Sequence, residues 1–240
     1  SRGLGDVYKR QDQASMDFSK SMIAYVKDEY GVDPVYEAQA GEKETDFRSY
    51  LLKAKATNPD ALVCSGLVDE TVRCLVQSYE VGIPKSVARV ANSVASKVEV
   101  PTNAGKAAVG VSYAAAFAAS DTRPIAKKFV KHIKSRYGVV PGHDFSQMED
   151  LLTMLKPALE KAEKGFSGDL ASDRKAVRDS IAGITNFTGL ASGPISFCAA
   201  GSPECRDGNR TPVMIEYTKG GKNWKTKVAG TVTFNASAGL

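Results

Sequence analysis

The sequence predicts an open α/β architecture built on a doubly wound parallel sheet, and three observations carry that prediction. Residues 58–92 hold a strand, a helix and a second strand in succession, a βαβ unit whose strands run parallel. The same alternation continues upstream to residue 14. Polar residues follow the apolar strand segments, and in such sheets small ligands bind outside the carboxyl ends of the strands.

Taken in order, Phe18, Met22, Tyr25 and Val26 mark an amphipathic helix closed by Tyr30-Gly31, and residues 33–38 follow as a strand. Thr45-Asp46 caps a helix whose stripe is Phe47, Tyr50, Leu51 and Ala54. Asn58-Pro59-Asp60 marks a turn, Ala61-Leu62-Val63-Cys64 reads as an apolar strand, and Ser65-Gly66 ends it. Val72, Leu75, Val76 and Tyr79 then fall at i, i+3, i+4 and i+7, one helical stripe, before Gly82-Ile83-Pro84 stops the helix and residues 87–90 open the next strand. From residue 14 to 114 the order is helix, strand, helix, strand, helix, strand, strand, which a bundle or a sandwich does not explain.

Four segments at matching spacings carry a family resemblance: residues 31–38, residues 40–47 with Gly41-Glu42-Lys43-Glu44-Thr45-Asp46-Phe47, residues 58–63, and Ser78-Tyr79-Glu80-Val81-Gly82-Ile83. Together they resemble the second lobe of periplasmic binding proteins of the leucine/isoleucine/valine type, the extracellular receptors of ABC importers. Gly110 and Tyr113 ahead of a helix begun by Pro124, and a long helix ending Ala158-Leu159-Glu160-Lys161-Ala162, extend the resemblance to about residue 221. It implies the type I periplasmic-binding-protein fold, α/β, with two doubly wound Rossmann-like lobes joined by hinge strands.

The family is considerably longer, so the resemblance places the opening half of the first lobe before residue 12 and makes this chain an incomplete first lobe with a second one. Residues 1–11 match nothing in the family and contain no apolar signal segment, and we expect them to be a non-native leader. Residues 12–114 are then the second lobe without its first strand, 115–190 the remaining helices of the first lobe, 191–227 strands returning across the hinge, and 228–240 a flexible tail rich in Ala, Ser, Thr and Gly.

Carried over residue by residue, the family's ligand contacts fall on Gly66, Leu67, Val68 and Asp69 after one strand, on Asn92 and Ser93 after the next, on Met16 before the first helix, and on Met148 and Glu149 near the start of the first-lobe helix. Each has a plain structural reading as well: Gly66 ends a strand, Asp69 caps a helix, Met148 fills core. Two departures bear on the ligand. Amino-acid binders of this family commonly carry an acidic residue near the Ser93 position for the ligand's ammonium group, whose burial unpaired is costly, and here the pair is Asn92-Ser93. Cleft aromatics are replaced by Leu67, Val68 and Glu149. An amide, a urea-like compound or an aromatic carboxylate therefore stands beside leucine, unless Asp69 or Glu149 supplies the charge.

Four cysteines are present. Cys198 and Cys205 flank Ala-Ala-Gly-Ser-Pro-Glu, a turn-rich hexapeptide suited to closing a small disulfide loop, and we expect that pair to be bridged. Cys64 and Cys74 read as a worse pair, because two helical turns at about 1.5 Å per residue carry Cys74 roughly 10 Å back from the helix start. Cys64 is then a small buried apolar residue.

Composition adds little. The 240 residues are 42% apolar and 25% charged, with a net charge of +5 spread along the chain. Lys127, Lys128, Lys131 and Lys134 line a helix without interleaved aromatics, which reads as a solvated face rather than a nucleic-acid patch. Ser172-Asp173-Arg174-Lys175 fits an acylase pattern but lacks its companion motifs and reads as a helix start, and His132 and His143 have no metal-ligand spacing around them.

The expectation is therefore a non-enzymatic solute-binding receptor, periplasmic or extracellular in a bacterium. It would be monomeric, with no cofactor, metal or nucleic acid, a small-molecule ligand, and the membrane permease of an ABC importer as its partner. Ligand-sensing domains of receptors and regulators share this lobe pair, and an α/β enzyme is a third reading that needs catalytic groups outside the residues present.

Overall fold

The computed structural model describes residues 4–6, 13–41, 44–190, 194–197 and 212–231. These divide into two compact units, one drawn from residues 1–114 and 214–229, the other from 115–213 and 230–240.

The first unit is an α/β sheet. Its elements run β1 (Leu4–Asp6), α1 (Gln13–Tyr30), β2 (Pro34–Glu37), α2 (Arg48–Ala56), β3 (Ala61–Cys64), α3 (Val68–Glu80), β4 (Ala88–Ala91), a 3-10 turn (Ser93–Ser96), α4 (Glu99–Ala104), a second 3-10 turn (Gly105–Ala108) and β5 (Val111–Ala115). Two late strands, β8 (Val213–Lys219) and β9 (Lys225–Thr231), complete a seven-stranded sheet in the order β2-β1-β3-β4-β5-β8-β9. Pairing is parallel from β2 through β5. The order β2-β1-β3 reverses at β1, which makes the β1/β3 junction the topological switch point of a doubly wound sheet.

The core follows from which residues face the sheet. Leu62, Val63 and Cys64 of β3 are buried outright, as expected of a strand covered on both faces. The expected α2 stripe holds, with Phe47, Leu51 and Ala54 buried and Tyr50 half-buried. The cap of α2 is made one residue before the assigned helix boundary: Asp46 Oδ1 accepts from Arg48 N at 3.1 Å, and that backbone hydrogen bond, more than the Arg48 side chain, holds the Asp46 carboxyl below its usual range.

Four sequence expectations are corrected. The face of α3 that meets the sheet is Thr71, Cys74, Leu75 and Ser78, rotated by one position from the apolar stripe, so that Val72 and Val76 are only half-buried and Tyr79 is exposed. Residues 93–108, where the expected order runs from strand to strand with no helix between, hold two 3-10 turns and α4. Leu4–Asp6, inside the presumed leader, forms a strand paired to both β2 and β3. The presumed tail from residue 228 begins inside β9.

The second unit contains α5 (Pro124–Tyr137), α6 (His143–Glu163), α7 (Leu170–Ala182) and a two-stranded antiparallel ribbon of β6 (Phe187–Thr188) and β7 (Pro194–Ile195). Pro124 stands at the start of α5 and Gly138, at φ +71°, ends it, the arrangement that proline's missing N–H and glycine's left-handed freedom favour. Ser172 is not the cap of α7: Asp169 is, accepting from Ser172 N at 2.9 Å. Phe117, Ala126, Phe129, Ile133 and Leu190 form one core cluster, and Ala116, Met154 and Ile195 another. No helix among the described residues is long and apolar enough to cross a membrane.

Candidate functional site

The carboxyl ends of β3 and β4 lie side by side, because Cys64 is in register with Ala91. Both strands then release the chain into the segments that the sequence singled out. After β3 come Ser65 and Gly66, both buried, then Leu67, which is 46% exposed, and the first residues of α3, Val68 half-buried and Asp69 exposed. After β4 come Asn92, half-buried, and Ser93, exposed at the start of the 3-10 turn.

The two segments are tied together. Asn92 Nδ2 donates to the Gly66 carbonyl at 3.0 Å, and Thr71 Oγ1 donates to the same carbonyl at 3.3 Å. That bond uses one of the two Nδ2 protons, so Asn92 keeps one N–H donor and its Oδ1 acceptor. Asn92 Oδ1 and Ser65 Oγ are buried without a hydrogen-bond partner among the described residues, a condition that costs about 1 to 3 kcal/mol for each group. Asp69 and Glu70 stand in the first turn of α3 and complement the positive end of its dipole, which turns this edge toward hydrogen-bond donors and away from anions.

Behind the Ser93–Ser96 turn lies a tyrosine bolt. Tyr217 of β8 donates its hydroxyl to the carbonyl of Ala95, shares a hydrogen bond with Tyr113 of β5, and meets Trp224 edge-on at 6.0 Å. The rings of Tyr113 and Tyr217 are 5.2 Å apart. Burial pushes the Tyr113 hydroxyl up to about 12 from 10.0, and that of Tyr217 in the same direction. The folded state therefore holds its phenolic protons where the unfolded chain loses them. The contribution of this pair to stability is intact below pH 10 and falls as pH rises through the interval to about 12. Urea midpoints measured across that interval are expected to fall as tyrosinate absorbance rises; a flat midpoint refutes the coupling.

The remaining expected residues belong to other elements. Met16, half-buried on α1, accepts a long contact from Gln39 Nε2 at 3.9 Å. Met148 and Glu149 belong to α6 in the second unit and are exposed, while the buried face of that helix is Ser146, Asp150, Met154, Ala158 and Ala162. Met148 therefore does not fill core; it joins Phe145, Leu152 and Leu159 in an exposed apolar row. Two open recesses in the second unit, of about 540 and 550 Å³, are lined by Lys175, Arg178 and Asp179 and by Lys127, Lys131 and Lys134, and neither includes a residue of the βα loops. Among the described residues no His, Cys, Asp and Glu group is placed to hold a metal ion.

The cysteine expectation is overturned for one pair and lies outside the described residues for the other. Cys64 and Cys74 form a disulfide with a Cα separation of 6.0 Å. The estimate that set them apart measured descent from the start of α3 but ignored the climb before it. Three residues separate β3 from α3, an ascent of up to about 10 Å, and the roughly 9 Å of helix down to Cys74 returns to the same height. Cys198 and Cys205 are not among the described residues. Sequence reasoning also missed Tyr217, while Ser65 lies in the loop after β3 that the strand ending at Cys64 pointed to. The signal for Tyr217 was its place in the alternating segment Ile215-Glu216-Tyr217.

Comparison with known proteins agrees with this geometry. No curated protein sequence matches the chain. Its fold matches a leucine-binding protein from Thermotoga maritima at TM-score 0.75 and 22% identity, over 96% of this chain and 60% of that one. A branched-chain amino acid transporter substrate-binding protein from Streptococcus pneumoniae, solved with isoleucine, matches at 0.77 and 21%, over 97% and 60%. An ABC transporter solute-binding protein from R. palustris, solved with benzoate, matches at 0.75 and 15%, over 98% and 61%. The chain thus spans about 60% of the length of these structures. The sequence profile of the periplasmic binding protein family matches residues 7–206, and with most of its length accounted for in this way the chain belongs to that family.

Proposed function

We propose that the chain is the ligand-binding part of an extracytoplasmic solute-binding receptor of an ABC importer. It captures a small polar or amphipathic ligand, an amino acid, an amide or an aromatic carboxylate, by hinge closure and presents the closed form to a membrane permease. The observation that carries this reading is the family match over residues 7–206, joined to a sheet whose β3 and β4 loops meet at one carboxyl edge. Closure works by differential contacts: a ligand shifts the equilibrium only as far as it binds the closed form better. In this reading closure turns on the places where the chain passes between the two units, near residues 114 and 213. No covalent step is part of this function.

The acidic first turn of α3 favours a ligand that donates hydrogen bonds at this edge, Asn92 can both donate and accept there, and Leu67 and Val68 offer an apolar surface. A neutral amide needs no carboxylate partner and suits Asn92-Ser93 better than a fully buried ammonium does. The Cys64–Cys74 disulfide supports an oxidising, extracytoplasmic compartment.

The test is thermal-shift screening of amino acids, amides and small aromatic acids, followed by calorimetry on variants. Asn92→Ala is expected to weaken a hit by about ten- to a hundredfold, the equivalent of one buried hydrogen bond of about 1 to 3 kcal/mol. Lys131→Ala, on the exposed face of α5, is expected to leave affinity unchanged. Equal affinity for wild type and Asn92→Ala removes Asn92 from the site, and a screen without a hit in any of the three classes removes the receptor reading.

A further inference from the structure

We propose that the Cys64–Cys74 disulfide is a positioning crosslink for the ligand loop, setting the height and rigidity of residues 66–69 above the sheet edge. This deepens the receptor reading and rests on it. Cys64 is the last residue of β3 and Cys74 the seventh of α3, so the nine residues between them contain the whole β3 loop and the first turn of the helix.

The crosslink stands where α3 buries few large apolar side chains, although Gln77 further along the helix accepts from Phe47 N and donates to the Thr45 carbonyl. The buried residues of α3 are Thr71, Cys74, Leu75, Gln77 and Ser78, with Leu75 the one large aliphatic side chain among them. A helix normally holds its place on a sheet through a broad apolar stripe, and here small and polar groups occupy that stripe. The start of α3 has no side-chain cap either: Leu67 stands at the N-cap position and makes none. Apart from the crosslink, the loop is held at Gly66, whose carbonyl accepts from Asn92 and Thr71.

The disulfide replaces the missing apolar anchorage with a covalent one. Strand β3 is fixed between β1 and β4, and Cys74 ties α3 to it at a point two turns below the loop. Sliding or lifting of the helix, which would move Leu67, Val68 and Asp69 together, is thereby blocked. Cys64 is 0% exposed and Cys74 1%, so the bond is shielded from solution thiols and acts as a fixed brace rather than a switch.

The experiment uses the whole chain recovered from an oxidising compartment. Peptide mapping without reduction should find Cys64 joined to Cys74, and two free thiols at these positions overturn the proposal. Hydrogen exchange is then compared among wild type, Cys64→Ala/Cys74→Ala, the volume-restoring Cys64→Ala/Cys74→Val, and Leu51→Ala as a destabilised control on α2. In both crosslink variants the amides of residues 65–70 should exchange about tenfold faster or more, beyond any change in β4 and β5, while Leu51→Ala should raise exchange throughout the unit without singling out the loop. Loop exchange that rises only in step with the rest of the sheet overturns the proposal.

Calorimetry with leucine, benzamide and benzoate closes the argument. A probe that binds wild type should bind the crosslink variants about tenfold more weakly well below their melting temperature, because the loop must then be ordered on binding. Faster loop exchange with unchanged affinity reduces the bond to a stabiliser and overturns its positioning role. If wild type binds none of the three probes, the receptor reading fails on its own account while the exchange data still decide the crosslink.

Discussion

Tyr217→Ala is expected to leave the sheet unit without a cooperative unfolding transition. Tyr217 is the largest fully buried side chain among the described residues, at 0% exposure. Removing a buried ring costs about 3 to 5 kcal/mol, set against a total of about 5 to 15 kcal/mol for a whole domain. The alanine also strands the Ala95 carbonyl and takes away the partner of Tyr113 and Trp224. Tyr217→Phe separates the two contributions, keeping the ring and losing the hydroxyl, and should cost about 1 to 3 kcal/mol. Because Ala95 lies in the turn that opens at Ser93, the phenylalanine variant should also loosen that turn. Denaturant unfolding of both variants measures the difference, and a Tyr217→Ala protein that melts as sharply as wild type refutes the bolt.

Gly189→Ala should destabilise the second unit by comparable amounts while sparing the first. A Cβ at position 189 would clash with Asp150 Oδ1 and Cγ. Asp150 cannot swing away freely: it is 3% exposed on α6, and its Oδ1 accepts from Leu190 N at 2.6 Å. The carbonyls of Gly189 and Leu190 are held in turn by the Arg123 guanidinium, which Asp121 braces. The methyl group must push either the helix or the segment, at about 1 to 3 kcal/mol for overpacking, and loss of a bond to a charged group adds about 1.5 to 3 kcal/mol. Leu190 would leave the cluster of Phe117 and Phe129 as a result. The double variant Gly189→Ala/Asp150→Ala should be less destabilised than the sum of its parts, since removing the carboxyl relieves the clash. Strict additivity would show that the two residues do not meet.

Much of the fold was legible because hydropathy and turn chemistry pointed the same way. Ala61–Cys64 was read as a strand to the residue, and Phe47, Leu51 and Ala54 were read as a core face. The face of α3 was misread because burial there falls on Thr71 and Ser78, which no hydropathy pattern selects. Thr71 satisfies its hydroxyl on Gly66 and Ser78 on Leu75, which makes their burial affordable. Leu4–Asp6 escaped because Leu-Gly-Asp has no strand propensity, and only its neighbours β2 and β3 make it a strand. The short helix Glu99–Ala104, with Pro101 inside, is too brief to form without the tertiary contacts that hold it. Within the candidate edge, residue identities at 66–69 and 92–93 were legible from strand ends, but the disulfide was not. Its geometry depends on a loop climb that residue spacing leaves undetermined.

Strands β5 and β8 are hydrogen-bonded neighbours, yet the chain between them, residues 116–212, contains nearly all of the second unit. Synthesis from the ribosome must therefore deliver five strands of the sheet, then a separate α-helical body, and only afterwards Tyr217 and the two strands that finish the edge. Closing so long a loop adds only slowly to the entropic cost, since that cost grows with the logarithm of length, but it makes the pairing late. Until it happens, β5 is a bare edge with unpaired N–H and C=O groups. The nascent first unit is an open-sided sheet during that interval, and a chain handed to an export machinery before residue 219 is reached carries that side uncovered.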